Sequence, residues 1–539
     1  MPPTVEPLLL GPSVDRRAFL KLSSVAAGTI GLSSLLAACG AGASSTGSKL
    51  TLTMPFLEDM QVPDPDIMYE GEGVQVMHAA YEGLCQYKPG TNEVIPLLAE
   101  SWTISADNLT YTFKLKPNVK FHDGTLADAQ SWIDSFARRL KVNQGPAYMV
   151  EGIAKSEAPD PTTLVVTLKA PNQAFLHYLA CPWHPLVTSP AAVQKYAKGG
   201  DLAQDWLKTH DAGTGPFIIS EFVPGSHYTL TKFKDYWGGD VGFDTIEIAI
   251  TPDVSTQKLQ LDSGAFDIVT KGFPVEDVKS YQTNNKFDVP VAFGGGGNAI
   301  WLNFNRPLFS DKALRQALVK AIDRKPIVET GFGGLVEPQK GYWPDLLFSP
   351  AAVPITDAVD TADCKALVAK LSDNTVDVAW GASGGEPNHQ MANQLQIQLA
   401  ALGFNATVRQ LPTSQEFDLA NQPQSKRPDI LVDFMGGDAL HLDTVLRILL
   451  RTGAKPLNFF GYTNPELDKL MDQAVVQPTA EKMNAIYVQC TQILEDDAIY
   501  VMLCNTPYPI IAHKDITGIV LDSDYPEIFD SAKIRRTTT

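Results

Sequence analysis

The chain has 539 residues, 44% apolar and 19% charged, and a net charge of −18 at pH 7. That length exceeds one ordinary core, and the composition is that of a globular protein with two or more lobes. The acidic balance excludes a nucleic-acid-binding surface and docking on anionic lipid through the body of the protein.

Residues 1–39 carry targeting information. Asp15-Arg16-Arg17-Ala18-Phe19-Leu20-Lys21 reads as a twin-arginine export signal. A weakly apolar run rich in Ala, Gly and Ser follows, too short for a spanning helix. It ends in Leu36-Ala37-Ala38-Cys39, a lipobox whose small residues fit a peptidase and whose Cys39 thiol takes a lipid. The expected mature protein begins at Cys39 and hangs from the outer face of the cytoplasmic membrane. Residues 40–48 (GAGASSTGS) form a flexible tether. The leader holds three basic and two acidic side chains, which leaves the body at −19.

The remaining cysteines are Cys85, Cys181, Cys364, Cys490 and Cys504, with no CxxC among them. This odd set suggests neither a zinc site nor a dense disulfide framework and leaves room for one bridge. Nine scattered histidines without HxH or HExxH support no dedicated metal site, and no cofactor motif is present.

In the body, residues 50–54 form the first strand candidate, and 74–87 read as a helix. Alternating residues 101–105 and 110–115 read as paired strands with Asn108 in their turn, and 127–140 as a helix. Further strands are expected at 163–168 and 228–233. The run Gly294-Gly295-Gly296-Gly297 reads as a hinge or a plain loop before a strand at 299–304. A helix over 311–323 has Ser310 as cap, Asp311 at its positive end, and Ala313, Leu314, Ala317, Leu318, Ala321 and Ile322 on one face. A strand at 376–380 then enters a glycine loop, 381–389. A helix at 389–402 follows, with Met391, Leu395, Leu399 and Leu402 on one stripe, and then a strand at 405–409. This order is that of an α/β lobe. Asn464-Pro465-Glu466 is a helix start.

These pieces converge on a family. Pro96-Leu97-Leu98-Ala99-Glu100-Ser101-Trp102 through Phe121-His122-Asp123-Gly124 resembles the solute-binding proteins of peptide-type ABC importers (family 5), related to oligopeptide-, dipeptide- and nickel-binding proteins. Tyr81-Glu82-Gly83-Leu84, Gly213-Thr214-Gly215-Pro216-Phe217, Leu302-Asn303-Phe304-Asn305, Arg315-Gln316-Ala317, Ala321-Ile322-Asp323-Arg324 and 399–403 match in order. The resemblance implies an α/β two-lobed periplasmic-binding-protein clamp of mixed sheets flanked by helices. Lobe I would comprise 49–85, 209–292 and 505–539, with an inserted subdomain at 86–208, and lobe II 293–504. Segments 293–298 and 503–509 would be the hinge. It implies a monomer that captures a solute, closes, and delivers it to membrane permease subunits without making or breaking a bond.

Ligands of open α/β lobes lie beyond the carboxyl ends of strands. Two loops qualify, 381–389 and Met435-Gly436-Gly437-Asp438. Peptide-binding relatives place an Asp at the position of Asp438, where it pairs with the ligand's α-ammonium. Here Met435 stands where relatives have Trp, and Leu440-His441-Leu442 replaces a Pro-Asp-Pro-like run. Relatives that bind dipeptides offer an Arg in the loop after Trp380. This loop has only His389. Glu58 and Asp59 are candidates from the first lobe, and Trp380 for stacking. A short peptide is the first expectation for the ligand, and an oligosaccharide or another small solute the second. From another class, Gly381-Ala382-Ser383-Gly384-Gly385 matches GxSxG, and an acyl hydrolase would recruit Asp438 with His441 or His513.

Overall fold

The computed structural model describes residues 50–348, 352–455 and 457–537. The expected export signal, Cys39 and the expected tether lie outside them. No helix among the described residues is long and apolar enough to cross a membrane.

The protein is a two-lobed α/β clamp. The first lobe centres on a four-stranded mixed sheet in the order Thr51–Phe56, Thr245–Ile250, His227–Lys232, Phe217–Val223. Thr51–Phe56 runs parallel to Thr245–Ile250, and the other pairings are antiparallel. Leu52, Met54, Tyr228, Leu230, Ile246 and Ile248 alternate into its core, the period-2 pattern of a strand with one buried face. A second antiparallel sheet, Ala99–Ile104, Thr110–Leu115, Thr163–Leu168 and Ile153–Asp160, forms the inserted layer. Asn108 turns its first hairpin at φ 58°, which asparagine tolerates. The second lobe holds a five-stranded mixed sheet in the order Asn405–Leu411, Thr375–Gly381, Ile430–Met435, Val291–Leu302, Tyr500–Pro509. The first three strands are parallel, so their carboxyl ends share one edge, as the β-α-β order requires.

The motifs at 81–84, 121–124 and 213–217 meet in one knot. Glu82 accepts hydrogen bonds from Thr214 Oγ1 (2.8 Å), Tyr236 Oη (3.0 Å) and Trp237 Nε1 (2.9 Å). His122 Nε2 meets the Gly215 carbonyl at 2.9 Å, and its Nδ1 is paired with Asp211. A side chain at Gly213 or Gly215 would strike the carbonyls of Ala80 and Ala79. The motifs therefore hold the lobe together and do not form the cleft.

Several elements differ from expectation. The helix at 74–87 ends at Ala80. Tyr81 is extended (φ −129°, ψ 160°), and Cys85–Tyr87 pairs with Val94–Pro96 as a hairpin. The helix at 311–323 spans Lys312–Ala321, capped by Asp311, which accepts from the Ala313 N–H at 2.9 Å, rather than by Ser310. The expected loop at 381–389 is mostly helix. A 3-10 turn at Ala382–Gly384 leads into Gly385–Leu402, because Pro387 is tolerated in a first helical turn. Met391, Leu395, Leu399 and Leu402 bury the stripe assigned to them. The five described cysteines are buried free thiols, so no bridge joins them.

The glycine run also differs. It lies within the strand Val291–Leu302, which pairs antiparallel with Tyr500–Pro509 from Val291↔Pro509 to Trp301↔Tyr500. The register shifts between Phe293 and Gly297, a bulge that bends the ribbon at the glycines. None of the four has a positive φ. Glycine is needed here for space. A methyl on Gly295 would stand 2.5 Å from Leu440 Cδ2 and 2.6 Å from Asp524 Oδ1.

Candidate ligand cleft

Ile430–Met435 ends on the shared edge of the five-stranded sheet and releases Gly436-Gly437-Asp438 toward the first lobe. A Cβ on Gly437 would meet Thr444 Oγ1 at 2.5 Å, so the chain can turn tightly onto the helix Leu442–Val445. Thr444 Oγ1 donates to the Ala439 carbonyl (2.9 Å), and Tyr87 Oη accepts from the Leu440 N–H (3.0 Å). The loop is thereby fixed from both sides of the cleft.

Asp438 is 9% exposed. Its Oδ2 accepts hydrogen bonds from two phenols, Tyr69 and Tyr148. Tyr69 belongs to the loop after the first strand, and Tyr148 opens the short helix Tyr148–Glu151 of the inserted layer. Burial raises the Asp438 pKa, and the two hydroxyl bonds offset part of that rise. Burial and the Asp438 charge push both phenols up, so they remain donors at neutral pH. Tyr69 is held by an edge contact on Trp183 (5.6 Å, 75°), and Tyr148 by one on Tyr178 (5.7 Å, 86°). Trp183 also meets Tyr525 at 6.1 Å, and Tyr525 meets Tyr508 at 6.1 Å. An aromatic row thus runs from the Asp438 pair to the strand Tyr500–Pro509. Other bonds across the cleft join the Gln173 N–H to the Val475 carbonyl (2.9 Å) and Asn92 Nδ2 to the Leu346 carbonyl (2.9 Å).

The other residues expected at the site fall in three places. Met435 is wholly buried, and Gly436 lies over Phe434 and Gly296. Trp380 and His389 stack on each other (5.0 Å, 26°), with His389 Nδ1 3.3 Å from Glu386. Asp59 accepts from Tyr228 Oη (2.7 Å) and from the Gly225 N–H (2.8 Å), while Glu58 is exposed. The Asp438 contacts lie with Tyr69 and Tyr148, and the Trp380–His389 and Asp59 contacts form separate clusters. Sequence reasoning missed both tyrosines. They stand 369 and 290 residues from Asp438 in the chain, and neither sits in a motif.

Neither His441 nor His513 is bonded to Ser383. Ser383 Oγ donates to Glu416 Oε1 at 2.6 Å. His441 packs on His177 (5.0 Å) and Tyr487 (6.0 Å), and His513 Nε2 bonds the Leu261 carbonyl (2.8 Å). Among the described residues no group of three His, Cys, Asp or Glu side chains is placed to hold a metal ion.

Known proteins agree with this architecture. The model of the bacterial extracellular solute-binding proteins, family 5, matches residues 93–456. The probable D,D-dipeptide-binding periplasmic protein DdpA of Escherichia coli is 28% identical over 487 residues, covering 88% of this chain and 92% of that protein. The glutathione-binding protein GsiB of Escherichia coli is 26% identical over 454 residues, covering 81% and 86%. The periplasmic binding protein DppA of Helicobacter pylori, solved with the peptide STSA, superposes with a TM-score of 0.76 at 21% identity, covering 91% of this chain and 99% of that one. CtaP of Listeria monocytogenes gives a TM-score of 0.79 at 21% identity, covering 90% and 99%. With a two-lobed fold, a carboxylate buried between the lobes and a family match over most of its length, the chain belongs to the family 5 bacterial extracellular solute-binding proteins.

Proposed function

We propose that this protein captures short peptides outside the cytoplasmic membrane and hands them to an ABC permease, with Asp438 holding the peptide's α-ammonium. The observation that carries this reading is the Asp438 carboxylate, buried between the lobes with two hydroxyl donors and, among the described residues, no cationic side chain bonded to it. A carboxylate in a dry cleft is stabilised most by a positive partner, and a peptide N-terminus supplies one. Relatives named for dipeptide and glutathione binding, and a structural neighbour holding STSA, support the same ligand class.

In this reading the lobes are 49–85 with 209–292 and 505–539, carrying the inserted 86–208, against 293–504. The paired strands Val291–Leu302 and Tyr500–Pro509 are the hinge, bending at the glycine bulge. Ligand favours the closed state because Asp438 from one lobe and Tyr69 and Tyr148 from the other meet only there. A lipid on Cys39 keeps the monomeric clamp near its permease. Capture and release involve no bond chemistry.

The test is calorimetric titration with trialanine and with N-acetyl-trialanine. Removing one partner of a buried charge pair costs about 2–5 kcal/mol, so acetylation is expected to weaken binding roughly 30- to 4,000-fold. Equal affinity for both would overturn the reading.

A further inference from the structure

A second buried carboxylate, within the field of Asp438, has an oxygen without a hydrogen-bond partner. Asp524 is 7% exposed, and its Oδ2 is buried without a hydrogen bond. Its backbone is fully engaged. The N–H donates to Asp522 Oδ1 (2.8 Å), and the carbonyl accepts from the Gly295 N–H (3.2 Å). Its Oδ1 lies against Gly295, the glycine that also receives Leu440, two residues after Asp438. Asp524 therefore stands against the glycine bulge of the strand Val291–Leu302, within the field of the Asp438 charge.

Among the described residues no cation is bonded to Asp524, and those of the surrounding segments have other partners. Lys271 bridges Glu72 and Glu527. Arg138 and Arg139 are held by Asp64 and Asp66. His78 Nε2 bonds the Pro182 carbonyl at 2.9 Å. Burial and the charges of Asp522 and Asp438 all push the Asp524 carboxyl well above its ordinary range. An unpartnered carboxylate is costly in such a site unless a cation arrives with the ligand. Tyr525, the next residue, and Tyr508 form a tilted ring pair (6.1 Å, 57°) beside it, aromatic surface of the kind that packs on the stem and head of a basic side chain.

We propose that Asp524 is a second cation-binding position of the cleft, so that the preferred ligands are short peptides whose first residue carries a basic side chain. This rests on the peptide reading and narrows it. The α-ammonium goes to Asp438 and the side-chain cation to Asp524.

The purified full chain would be titrated calorimetrically with Lys-Ala-Ala and with norleucine-Ala-Ala, which has a similar stem without the charge. The lysine peptide is expected to bind roughly tenfold tighter or more. Asp524→Asn, which keeps the shape and removes the buried charge, should abolish that preference and leave norleucine-Ala-Ala binding within about twofold. Equal affinities in the unchanged protein overturn the proposal, as does a variant that loses both peptides alike. If neither tripeptide binds, 1,5-diaminopentane separates the two readings. Asp524-dependent binding of the diamine keeps the second cation position and defeats the peptide assignment. No binding of it overturns both.

Discussion

Tyr69 and Asp438 lie 369 residues apart in the chain and meet through one hydroxyl-to-carboxylate hydrogen bond across the cleft. Tyr148 reaches the same oxygen from the inserted layer. Three separate parts of the fold thus converge on Oδ2 of a single side chain, which makes that oxygen a reporter of closure.

Asp438→Asn should therefore act on ligand and closure together. The amide keeps the shape, but it has no negative charge for an ammonium. A roughly 30-fold or greater loss of trialanine affinity is expected. Tyr69→Phe and Tyr148→Phe each remove one donor and leave the carboxylate less satisfied, a loss of about 1–3 kcal/mol. A smaller affinity loss for the tyrosine variants than for Asp438→Asn is the expected order in calorimetry. The reverse order would mean that the phenols, not the carboxylate, hold the ligand.

The position of Tyr69 depends on a buried ion cluster. Arg138 Nη2 meets Asp64 Oδ2 and its Nη1 meets Asp66 Oδ2, both at 2.6 Å, and Arg139 Nε meets Asp66 Oδ1 at 2.9 Å. The cluster ties the loop that carries Tyr69 to the helix Ala129–Val142 of the inserted layer. Arg138→Met would strand Asp64 away from water, while Asp66 keeps Arg139, and is expected to cost about 3–5 kcal/mol. Denaturant unfolding measures this directly. A loss under about 1 kcal/mol would show that water reaches the cluster.

Local chemistry made many of the elements legible. Asn464 caps Pro465–Val475 by accepting from the Glu466 and Leu467 N–H groups at 3.1 Å, as Asn-Pro-Glu announces. The apolar stripe from Met391 to Leu402 marked its helix in the same way. Long-range packing was not legible. A run of four glycines reads as a hinge or a loop, yet here it pairs as a strand with Tyr500–Pro509, and glycine is kept because Asp524, Leu440 and Cys504 crowd it. At the site, the Gly436-Gly437-Asp438 turn follows from its place after a strand. Tyr69, Tyr148 and Asp524 come from other segments, and no local pattern marks a side chain whose partner lies hundreds of residues away.

The glycine bulge gives a prediction about motion. Gly295→Val would drive methyls into Leu440 Cδ2 and Asp524 Oδ1, contacts already at 2.5 and 2.6 Å for a bare Cβ. Overpacking of this kind costs about 1–3 kcal/mol. The crowding pairs the ribbon with both the Asp438 loop and the carboxyl-terminal tail, so the variant should disfavour the closed state. Small-angle scattering with saturating trialanine should show the unchanged protein contracting and the variant remaining extended. Equal contraction would place the hinge elsewhere.

Glu82 sets a pH dependence of stability. Burial lifts its pKa from 4.5 to about 7, although the bonds from Trp237, Thr214 and Tyr236 oppose the rise. Below about 4.5 the folded and unfolded chains both hold the proton. Between 4.5 and 7 only the folded chain holds it, so stability falls as pH rises, by about 3 kcal/mol in all. Above 7 this contribution is flat. For His122, burial works against the charged form, but the Asp211 partner wins and raises the pKa above 6.5. Its stabilisation is present below 6.5 and is lost as pH rises through the higher folded value. Urea unfolding of Glu82→Gln from pH 4.5 to 8 should therefore lose the slope between 4.5 and 6.5 and keep only the fall that His122 contributes above 6.5, weakened because the Glu82 charge is one cause of the His122 rise. An unchanged slope between 4.5 and 7 would mean that Glu82 is ionised in the folded protein, with the Trp237, Thr214 and Tyr236 donors outweighing burial.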